Sequence, residues 1–335
     1  MIFYIGCRDE FAKRRGYMLV KLSIIVPHFN SSGSLERLIA SIPARHSLEI
    51  IIVDDHSAPT EKAKLEVLSD KFYKHRLLFL ANGIGKKSAG AARNEGLYYA
   101  SGQWILFADA DDYFLDGFYE KVSAFFESEY DIVYFTPISV YNNTDDEADR
   151  HAKYEVLVKS YLKEKNRIAE LKLRYQFEVP WSKLFRRSLI MKNYIKFDEV
   201  MHANDVLFSV KTGYYAQEVY ASDERIYCAT KDSGSLTTFI TERSFDTRCH
   251  VFLREHYFLK DHLSKEEFEI IEPNGRYYLL GARKFGIRKI WNVYRALRKQ
   301  KVKILTRHML NPLWFKDRYR KVKKEDEETE RFMNK

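Results

Sequence analysis

The stretch ILFADADDYF, residues 105–114, joins an apolar run to three carboxylates, Asp109, Asp111 and Asp112. Residues 104–108 are continuously apolar, which is typical of a strand covered on both faces of a sheet. The three acids follow as this strand ends. In a sheet of parallel strands, ligands bind outside the carboxyl ends of the strands. The position of the acids therefore predicts a ligand site.

Three similar apolar runs precede this strand, and helical patterns lie between them. We predict strands at residues 22–26, 49–53 and 76–80, and helices at residues 34–42, 61–73 and 91–100. Parallel strands need helical crossovers, so four strand–helix units in about 95 residues predict a doubly wound α/β sheet.

Polar residues also follow two of the other strands. Residues 27–30 read PHFN and residues 54–57 read DDHS, and both are expected at the same edge as the acids. Five carboxylates converging there repel one another, so something positive should lie among them. Arg93 is one candidate, and Mg²⁺ or Mn²⁺ with a nucleotide is another, since hard oxygen ligands suit these ions. The alternative is that Asp111 or Asp112 caps the following helix.

The rest of the chain is less regular. We predict a strand at residues 131–140, a loop at 142–150, and helices at 117–127, 154–173 and 204–216, with another helix entered within 179–190. Past residue 239 the chain reads as mainly helical. The predicted organisation is an N-terminal extension (1–20), an α/β domain (21–238, with halves 21–115 and 116–238) and a helical C-terminal region (239–335). The resemblance described below implies that the first half binds a nucleotide and the second an acceptor.

The positive charge is concentrated near the C-terminus. Residues 283–324 hold 16 lysines and arginines against one acid, Asp317, in a chain of net charge +9. Ile287, Trp291 and Tyr294 recur there at helical spacing, which favours either an amphipathic helix on an anionic membrane or a solvated helix packed on the domain. Nucleic acid is not expected, because the acidic run 325–328 would partly cancel a phosphate-binding field.

The remaining composition excludes several classes of protein. Glycine and proline are scarce, at 14 and 7 residues, so neither a collagen-like nor a long disordered segment is expected. Cys7, Cys228 and Cys249 lie far apart, which predicts no disulfide framework or zinc site and fits a reducing cytoplasm. No apolar run is long enough to span a bilayer. The opening residues make a poor signal peptide, and Met18 is an alternative start.

Four blocks of the sequence resemble a known family. SIIVPHFN, IIVDDHS, GAARNEGL and ILFADADDYF are similar, in order and spacing, to the SVIVPxYN, IIVDDGS, GxxxARNxG and FLDSDD blocks of the inverting family 2 glycosyltransferases. The similarity covers residues 22 to about 115. Residues 179–190 and 197–208 also resemble the acceptor half of members that build bacterial surface polysaccharides. The resemblance implies a GT-A fold, which is a Rossmann-like nucleotide-diphospho-sugar transferase sheet, with a C-terminal helical extension.

The resemblance also implies roles for individual residues. The nucleotide-binding residues would be Pro27, Asp54, Asp55, Arg93, Asn94 and Asp109, with Lys231 in a loop that closes over the diphosphate. Asp111, with Asp112 beside it, would hold Mn²⁺ or Mg²⁺. Asp205 would be the general base, although Asn204 stands where the family usually has an acid, and a helix N-cap is the alternative for Asp205. His56 replaces a glycine of the family pattern.

The resemblance implies transfer of a sugar from a nucleotide sugar to a hydroxyl of a carbohydrate or lipid-linked acceptor, and the expected donor is a UDP-sugar. The expected place is the cytoplasm, with peripheral contact at the inner face of the cell membrane through residues 283–324. Two other classes share parts of the pattern: receiver domains of two-component signalling and haloacid-dehalogenase-like phosphatases. Neither fits well, because a strand and helix precede the acid pair and Tyr113 stands where the phosphatase motif has threonine.

Overall fold

The computed structural model describes residues 19–83, 86–142, 144, 146–231 and 240–304. The chain divides into two compact units after Lys231. The predicted domain boundary at residue 238 and most of the predicted N-terminal extension lie outside the described residues.

The first unit contains the sheet and the helices that cover it. Its strands are β1 (Leu22–His28), β2 (Leu48–Asp54), β3 (Leu77–Ala81), β4 (Trp104–Phe107), β5 (Tyr113–Phe114), β6 (Ile132–Tyr141), β7 (Lys183–Arg186) and β8 (Val219–Lys231). Its helices are α1 (Ser32–Ala40), α2 (Pro59–Lys71), α3 (Ala89–Tyr99), α4 (Phe118–Ser123), α5 (Ala152–Glu164), α6 (Arg167–Gln176), α7 (Arg187–Lys192) and α8 (Val206–Tyr215).

The strands form one sheet in the order β3-β2-β1-β4-β7-β6-β8-β5. The four strands β3, β2, β1 and β4 are parallel, as the sequence predicts. The chain runs outward from β1 to β3 and then returns to place β4 on the other side of β1. This reversal between β1 and β4 is the point at which a doubly wound sheet opens a ligand crevice.

Burial on both faces explains why these strands read as continuous apolar runs. Leu22, Ile24 and Val26 of β1 enter one core cluster together with Leu35 of α1. Ile25, which points to the opposite face, enters a second cluster that includes Ala92 and Leu97 of α3. Helices α1 and α3 therefore cover opposite faces of the parallel half.

The second half of the sheet differs from the sequence prediction. Residues 183–186 form strand β7, antiparallel to both β4 and β6, and the helix begins only at Arg187. An apolar run this short has no periodicity that separates a buried strand from a helix. The predicted helix 154–173 is two helices, because Lys165 adopts a left-handed conformation and Asn166 caps α6.

The second unit is helical in its described part, as predicted. Its helices are α9 (Glu242–His262), α10 (Lys265–Ile271), α11 (Arg276–Gly281) and α12 (Ile287–Lys299), with a 3₁₀ turn at Ala282–Phe285. Phe245 and Phe252 of α9 pack with Val293 and Leu297 of α12 in a small core. None of the helices in the described ranges combines the length and apolarity that crossing a bilayer requires.

Candidate active site

The crevice opens where β1 and β4 separate. Their pairing ends at Ile25 and Phe107, whereas β1 continues beside β2 to His28. Pro27 lies in this extra length, paired only with Val53. Proline has no N–H to donate. At Pro27 the strand β4 no longer pairs with β1, so the missing N–H costs the sheet no hydrogen bond with β4. Pro27 therefore lies at the mouth of the crevice, where the sequence predicts the nucleoside.

Asp54 is buried in a network that shapes the loop after β2. Its Oδ1 lies 3.2 Å from His28 Nδ1, and its Oδ2 accepts from the Ser57 N–H at 3.3 Å. Burial alone would raise the pKa of Asp54, but the hydrogen bonds from His28 and Ser57 outweigh it and hold the pKa below its ordinary value. The ionised carboxylate thus holds the loop, and its predicted contact with a nucleotide stays a prediction.

Asp55 presents its carboxylate beside this network. Asn82 Nδ2 donates to Asp55 Oδ1 at 2.7 Å, and His56 Nδ1 lies 3.3 Å from the same oxygen. Asp55 Oδ2 makes no hydrogen bond within the described part of the chain. His56 has φ +64°, in the left-handed region that favours glycine. This backbone explains why glycine stands at that position in the resembled family pattern.

The three acids of the opening stretch converge, as predicted. Asp109, Asp111 and Asp112 each offer a carboxylate oxygen, and these oxygens lie within 4.8 Å of one another. Asp112 is fully buried, and its oxygens accept from Tyr227 Oη at 2.7 Å and from the Thr230 N–H at 2.7 Å. Tyr227 Oη also accepts from the Asp109 N–H at 2.9 Å. Strand β8 therefore holds the acid-bearing turn.

Other contacts fix the same turn through its backbone. The Asp111 carbonyl accepts from Arg37 Nη2 at 2.5 Å and from Thr230 Oγ1 at 2.8 Å. Arg150 Nη1 donates to the Thr230 carbonyl at 2.5 Å and lies 3.8 Å from Asp112. These residues hold the backbone of the turn, so the acids cannot separate freely to relieve their repulsion.

The electrostatics of the turn fit a cation. Burial, and then the charges of Asp111 and Asp109, raise the pKa of Asp112 well above its usual range, and Arg150 only partly opposes this. Asp109 and Asp111 are partly exposed, whereas Asp112 is enclosed by its donors. Carboxylate oxygens in this arrangement suit Mg²⁺ or Mn²⁺. Asp111 is the more accessible of the two predicted metal ligands. Asp112 also fixes the turn through its hydrogen bonds, and its contact with a metal stays a prediction.

Arg93 connects the acids to a second loop. Its Nη2 donates to Asp109 Oδ1 at 2.5 Å, and its Nη1 donates to Asn204 Oδ1 at 2.8 Å. The guanidinium also lies 5.3 Å from the ring centroid of Phe197. Arg93 is thus the buried cation that the sequence predicts among the carboxylates, and it bridges to the residue beside Asp205.

Asp205 stands at the start of α8 on this second loop. Its side chain makes no capping hydrogen bond, which argues against the helix-cap alternative. Burial raises the pKa of Asp205, and the charge of Arg93 opposes that rise. The carboxylate is therefore a stronger proton acceptor than an exposed aspartate, and a nearby cation helps to keep it ionised.

Helix α3 docks the loop that carries Asp205. Asn94 Nδ2 donates to the Phe197 carbonyl at 3.0 Å, and Asn94 Oδ1 accepts from the Phe197 N–H at 2.8 Å. Both polar atoms of Asn94 are thus used by the backbone of the loop, so a direct contact with the nucleotide stays a prediction. Gly90 of α3 lies against the Asp198 carbonyl, with room for no side chain.

Lys231 ends β8 beside the acid-bearing turn. Its Nζ donates to Asp149 Oδ1 at 2.7 Å and lies 5.5 Å from the centroid of Tyr141. The rest of the loop predicted to close over a diphosphate, from residue 232 to residue 239, lies outside the described residues. The role of this loop therefore stays a prediction.

Several residues of the site were not expected from the sequence. Tyr227 and Thr230 belong to β8, which has charged residues in its middle and no clean alternation. Arg37 and Arg150 lie on a helix surface and in a polar loop, where arginine is ordinary. Only their contacts with the acid-bearing turn mark them as part of the site.

Residues 23–193, just over half of the chain, match the family model of glycosyl transferase family 2. The chain belongs to glycosyltransferase family 2. Its fold is accordingly the GT-A fold, and the receiver and phosphatase alternatives have no support.

Curated relatives agree with this assignment. The chain is 27% identical over 318 residues to the Bacillus subtilis glycosyltransferase EpsJ, covering 91% of this chain and 83% of EpsJ. It is 26% identical over 216 residues to the Escherichia coli glycosyltransferase YibD, covering 62% of this chain and 60% of YibD. It is 27% identical over 225 residues to the Staphylococcus aureus poly(ribitol-phosphate) beta-N-acetylglucosaminyltransferase TarS, covering 64% of this chain but only 36% of TarS.

Solved structures show the same fold. S. aureus TarS 1–349 in complex with UDP-GlcNAc matches with TM-score 0.64 and 22% identity, covering 94% of this chain and 92% of that one. The Pyrobaculum calidifontis mannosyltransferase PcManGT, in complex with GDP-Man and Mn²⁺, matches with TM-score 0.52 and 15% identity, covering 83% and 74%. At these identities the likeness is one of fold.

The contact between α3 and the Asp205 loop gives a first prediction. A Cβ added at Gly90 would lie 2.1 Å from the Asp198 carbonyl oxygen and 3.0 Å from Asn204 Cβ. We expect Gly90→Ala to displace this loop and to lower the free energy of unfolding by about 1–3 kcal/mol, measured by urea denaturation.

Gly33→Ala is the matched control. Gly33 also lies in a helix, but a Cβ there meets nothing within 4 Å. Alanine is the better helix former, so this variant should be as stable as the wild type or more so. Equal stability of the Gly90→Ala protein and the wild type would contradict the close packing of the loop.

Proposed function

We propose that this protein transfers a sugar from a nucleoside-diphosphate sugar to an acceptor hydroxyl with inversion at the anomeric carbon. The observation that carries the proposal is the pairing of two unlike acidic sites through one arginine. Asp109, Asp111 and Asp112 form an acid cluster after β4, while Asp205 lies on a separate loop. Arg93 donates to Asp109 and to Asn204, the residue before Asp205. A single displacement needs a site for the leaving group and one base for the acceptor, and no covalent nucleophile.

The donor is proposed to lie in the crevice between β1 and β4. Asp55 and Pro27 would border the nucleoside, and the exposed ring of Phe29, with Lys87 Nζ 3.8 Å from its centroid, offers a surface for the base. A UDP-sugar is the proposed donor, in keeping with the fold neighbour that binds UDP-GlcNAc. Asp111, with Asp112 and Asp109 beside it, would hold Mn²⁺ or Mg²⁺, which would stabilise the negative charge of the departing diphosphate.

Asp205 is proposed as the general base. Its partly buried carboxylate has a raised pKa and therefore accepts a proton from a hydroxyl more readily than an exposed aspartate does. Arg93 holds the neighbouring Asn204 and lowers the cost of keeping Asp205 ionised. The base function is lost when the pH falls through this raised pKa, because the protonated carboxyl cannot accept a proton.

The acceptor is proposed to be a lipid-linked or polymeric carbohydrate of a bacterial surface. One relative is the Campylobacter jejuni GalNAc(5)-diNAcBac-PP-undecaprenol beta-1,3-glucosyltransferase, 37% identical over 99 residues that cover 29% of this chain and 31% of that protein. TarS is named for a poly(ribitol-phosphate) acceptor. Action on such substrates at the cytoplasmic face of the membrane fits the surface of α12.

Helix α12 carries an exposed apolar stripe beside a basic one. Val293 and Leu297 are buried, whereas Ile287 is 79% and Trp291 59% exposed, one helical turn apart. Exposed cations share the adjoining face at helical spacing; they are Arg288, Arg295 and Lys299. Apolar anchors next to a row of cations are typical of a helix lying on an anionic lipid surface. We propose that α12 makes such a contact.

Nucleotide binding is the first test of the proposed function. UDP with Mn²⁺ at a hundredfold over the dissociation constant should add about 2.7 kcal/mol to the free energy of unfolding, seen as a thermal shift of a few degrees. The shift should vanish with EDTA and in Asp111→Ala, and it should persist in Asp116→Ala, which removes an exposed acid nearby. No shift with UDP, GDP, dTDP or CMP in the presence of metal would contradict the donor assignment.

The base assignment makes a separate prediction. Asp205→Asn should lower kcat by roughly 10²–10⁴ while the thermal shift with UDP and Mn²⁺ stays as in the wild type. Asp223→Asn, an exposed acid on β8, should leave kcat unchanged. In the wild type, kcat/KM should fall as the pH drops through the raised pKa of Asp205. Undiminished transfer by Asp205→Asn would refute this role.

Lipid binding can be tested by sedimentation of the intact protein with vesicles. The double variant Ile287→Glu with Trp291→Glu should no longer sediment with phosphatidylglycerol vesicles at low salt, whereas the wild type should, because apolar burial and charge attraction act together. Tyr257→Glu, an exposed aromatic of α9, serves as the control. Equal binding of the double variant, or equal wild-type binding to neutral phosphatidylcholine vesicles, would contradict the proposed surface.

A further inference from the structure

Lys183 of β7 is a lysine buried among aromatic rings. Only 1% of it is exposed, and the ring centroids of Tyr134, Phe177 and Phe185 lie 5.6, 5.0 and 5.5 Å from its Nζ. Burying an ammonium group is costly unless the group is hydrogen-bonded and its charge is compensated. The partners of Lys183 therefore indicate what its charge acts on.

Those partners tie two segments of the chain together. Lys183 Nζ donates to the Phe177 carbonyl at 2.7 Å and to Ser209 Oγ at 3.2 Å. Ser209 Oγ in turn donates to the Glu178 carbonyl at 2.6 Å. The segment that follows α6 is thus joined to α8 through one ammonium and one hydroxyl.

This junction lies directly behind Asp205. Ser209 is one helical turn after Asp205, and its N–H donates to the Asp205 carbonyl at 2.9 Å. The bond closes the first turn of α8, from which the Asp205 side chain extends. A shift of Ser209 would therefore move the backbone that positions the carboxylate.

The charges around the junction also couple Lys183 to Asp205. Burial lowers the pKa of Lys183 to about 7, while Asp205 and Glu178 oppose this by favouring the ammonium. The charged groups that face Asp205 come from several elements: Arg93 of α3, Asp109 after β4, Glu178 after α6 and Lys183 of β7, with Tyr154 of α5 also within their field. Glu178 is itself paired with Lys153 at 3.1 Å.

We propose that Lys183 is a positioning residue for Asp205, holding the first turn of α8 in place and supplying buried positive charge that favours the Asp205 carboxylate. The catalytic meaning of this role rests on the proposed function, in which Asp205 is the base. The electrostatic coupling between Lys183 and Asp205 does not depend on the proposed function, so it can be measured without any transfer reaction.

The direct test is the titration of Asp205 by carboxyl ¹³C NMR on the intact protein, with the resonance assigned by its loss in Asp205→Asn. Removing the ammonium in Lys183→Met should raise the apparent pKa of Asp205 by roughly half a unit or more. Lys192→Met, an exposed lysine of α7, is the control and should leave it unchanged. An unaltered Asp205 titration in folded Lys183→Met would overturn the proposal.

A reciprocal measurement covers the case in which Lys183→Met does not fold. Coupling between two sites is symmetric, so Asp205→Asn, which keeps Lys183, should move the titration of the Lys183 side chain to lower pH. Lysine ¹³Cε NMR of the wild type and of Asp205→Asn measures this shift. No change in the Lys183 titration would overturn the coupling.

Measurements of transfer activity distinguish a failure of this inference from a failure of the proposed function. The acidic limb of the kcat/KM profile should move to higher pH in Lys183→Met, with the UDP and Mn²⁺ thermal shift retained. Ser209→Ala, which keeps the charge but loosens the junction, should lower kcat with little movement of that limb. A wild type with no transfer but with coupled titrations would refute the proposed function alone, whereas an active wild type with uncoupled titrations would refute this inference alone.

Discussion

The burial of Asp112 is the constraint on which the site depends. This carboxylate has no exposed surface, and β8 supplies its donors through Tyr227 and the Thr230 backbone. A buried acid without such donors would be strongly destabilising. Meeting this requirement fixes the turn between β4 and β5, and the fixed turn brings Asp109 and Asp111 together at the mouth of the crevice. Because the fold holds the three carboxylates close together, their mutual repulsion favours the binding of a cation.

Helix α3 provides the second constraint by joining the donor side to the acceptor side. Gly90 admits the Asp198 backbone, Arg93 bridges Asp109 to Asn204, and Asn94 binds the Phe197 backbone. Three residues within two helical turns thus set the position of the loop before Asp205 relative to the acid cluster. This geometry explains the GAARNEGL block. Position 90 must lack a side chain, position 93 must be a cation that donates to two residues, and position 94 must be an amide that both donates and accepts.

The parallel half of the sheet was predictable, because strands that are buried on both faces appear in the sequence as apolar runs. The strands β1, β2 and β4 are buried along almost their whole length, and the polar residues that follow β1 and β2 contact each other, as expected. The other half of the sheet, in which parallel and antiparallel pairs are mixed, was not predictable in the same way. Strand β7 is only four residues long, and β8 mixes charged with apolar residues. The donors on β8 were therefore not expected, and the part that Asp112 plays in fixing the turn becomes visible only through its contacts with Tyr227 and Thr230. The burial of Lys183 could not be predicted either, because only the packing of β7 encloses it.

The most direct test of the central claim is anomalous diffraction at the manganese edge from crystals grown with UDP and Mn²⁺. We predict one strong peak within coordination distance of the Asp111 carboxylate, beside Asp109, with UDP in the crevice next to Pro27 and Asp55. We also predict that the hydrogen bonds of Asp112 with Tyr227 and Thr230 remain intact. UDP bound in the crevice without manganese at these acids, or manganese bound elsewhere in the chain, would contradict it.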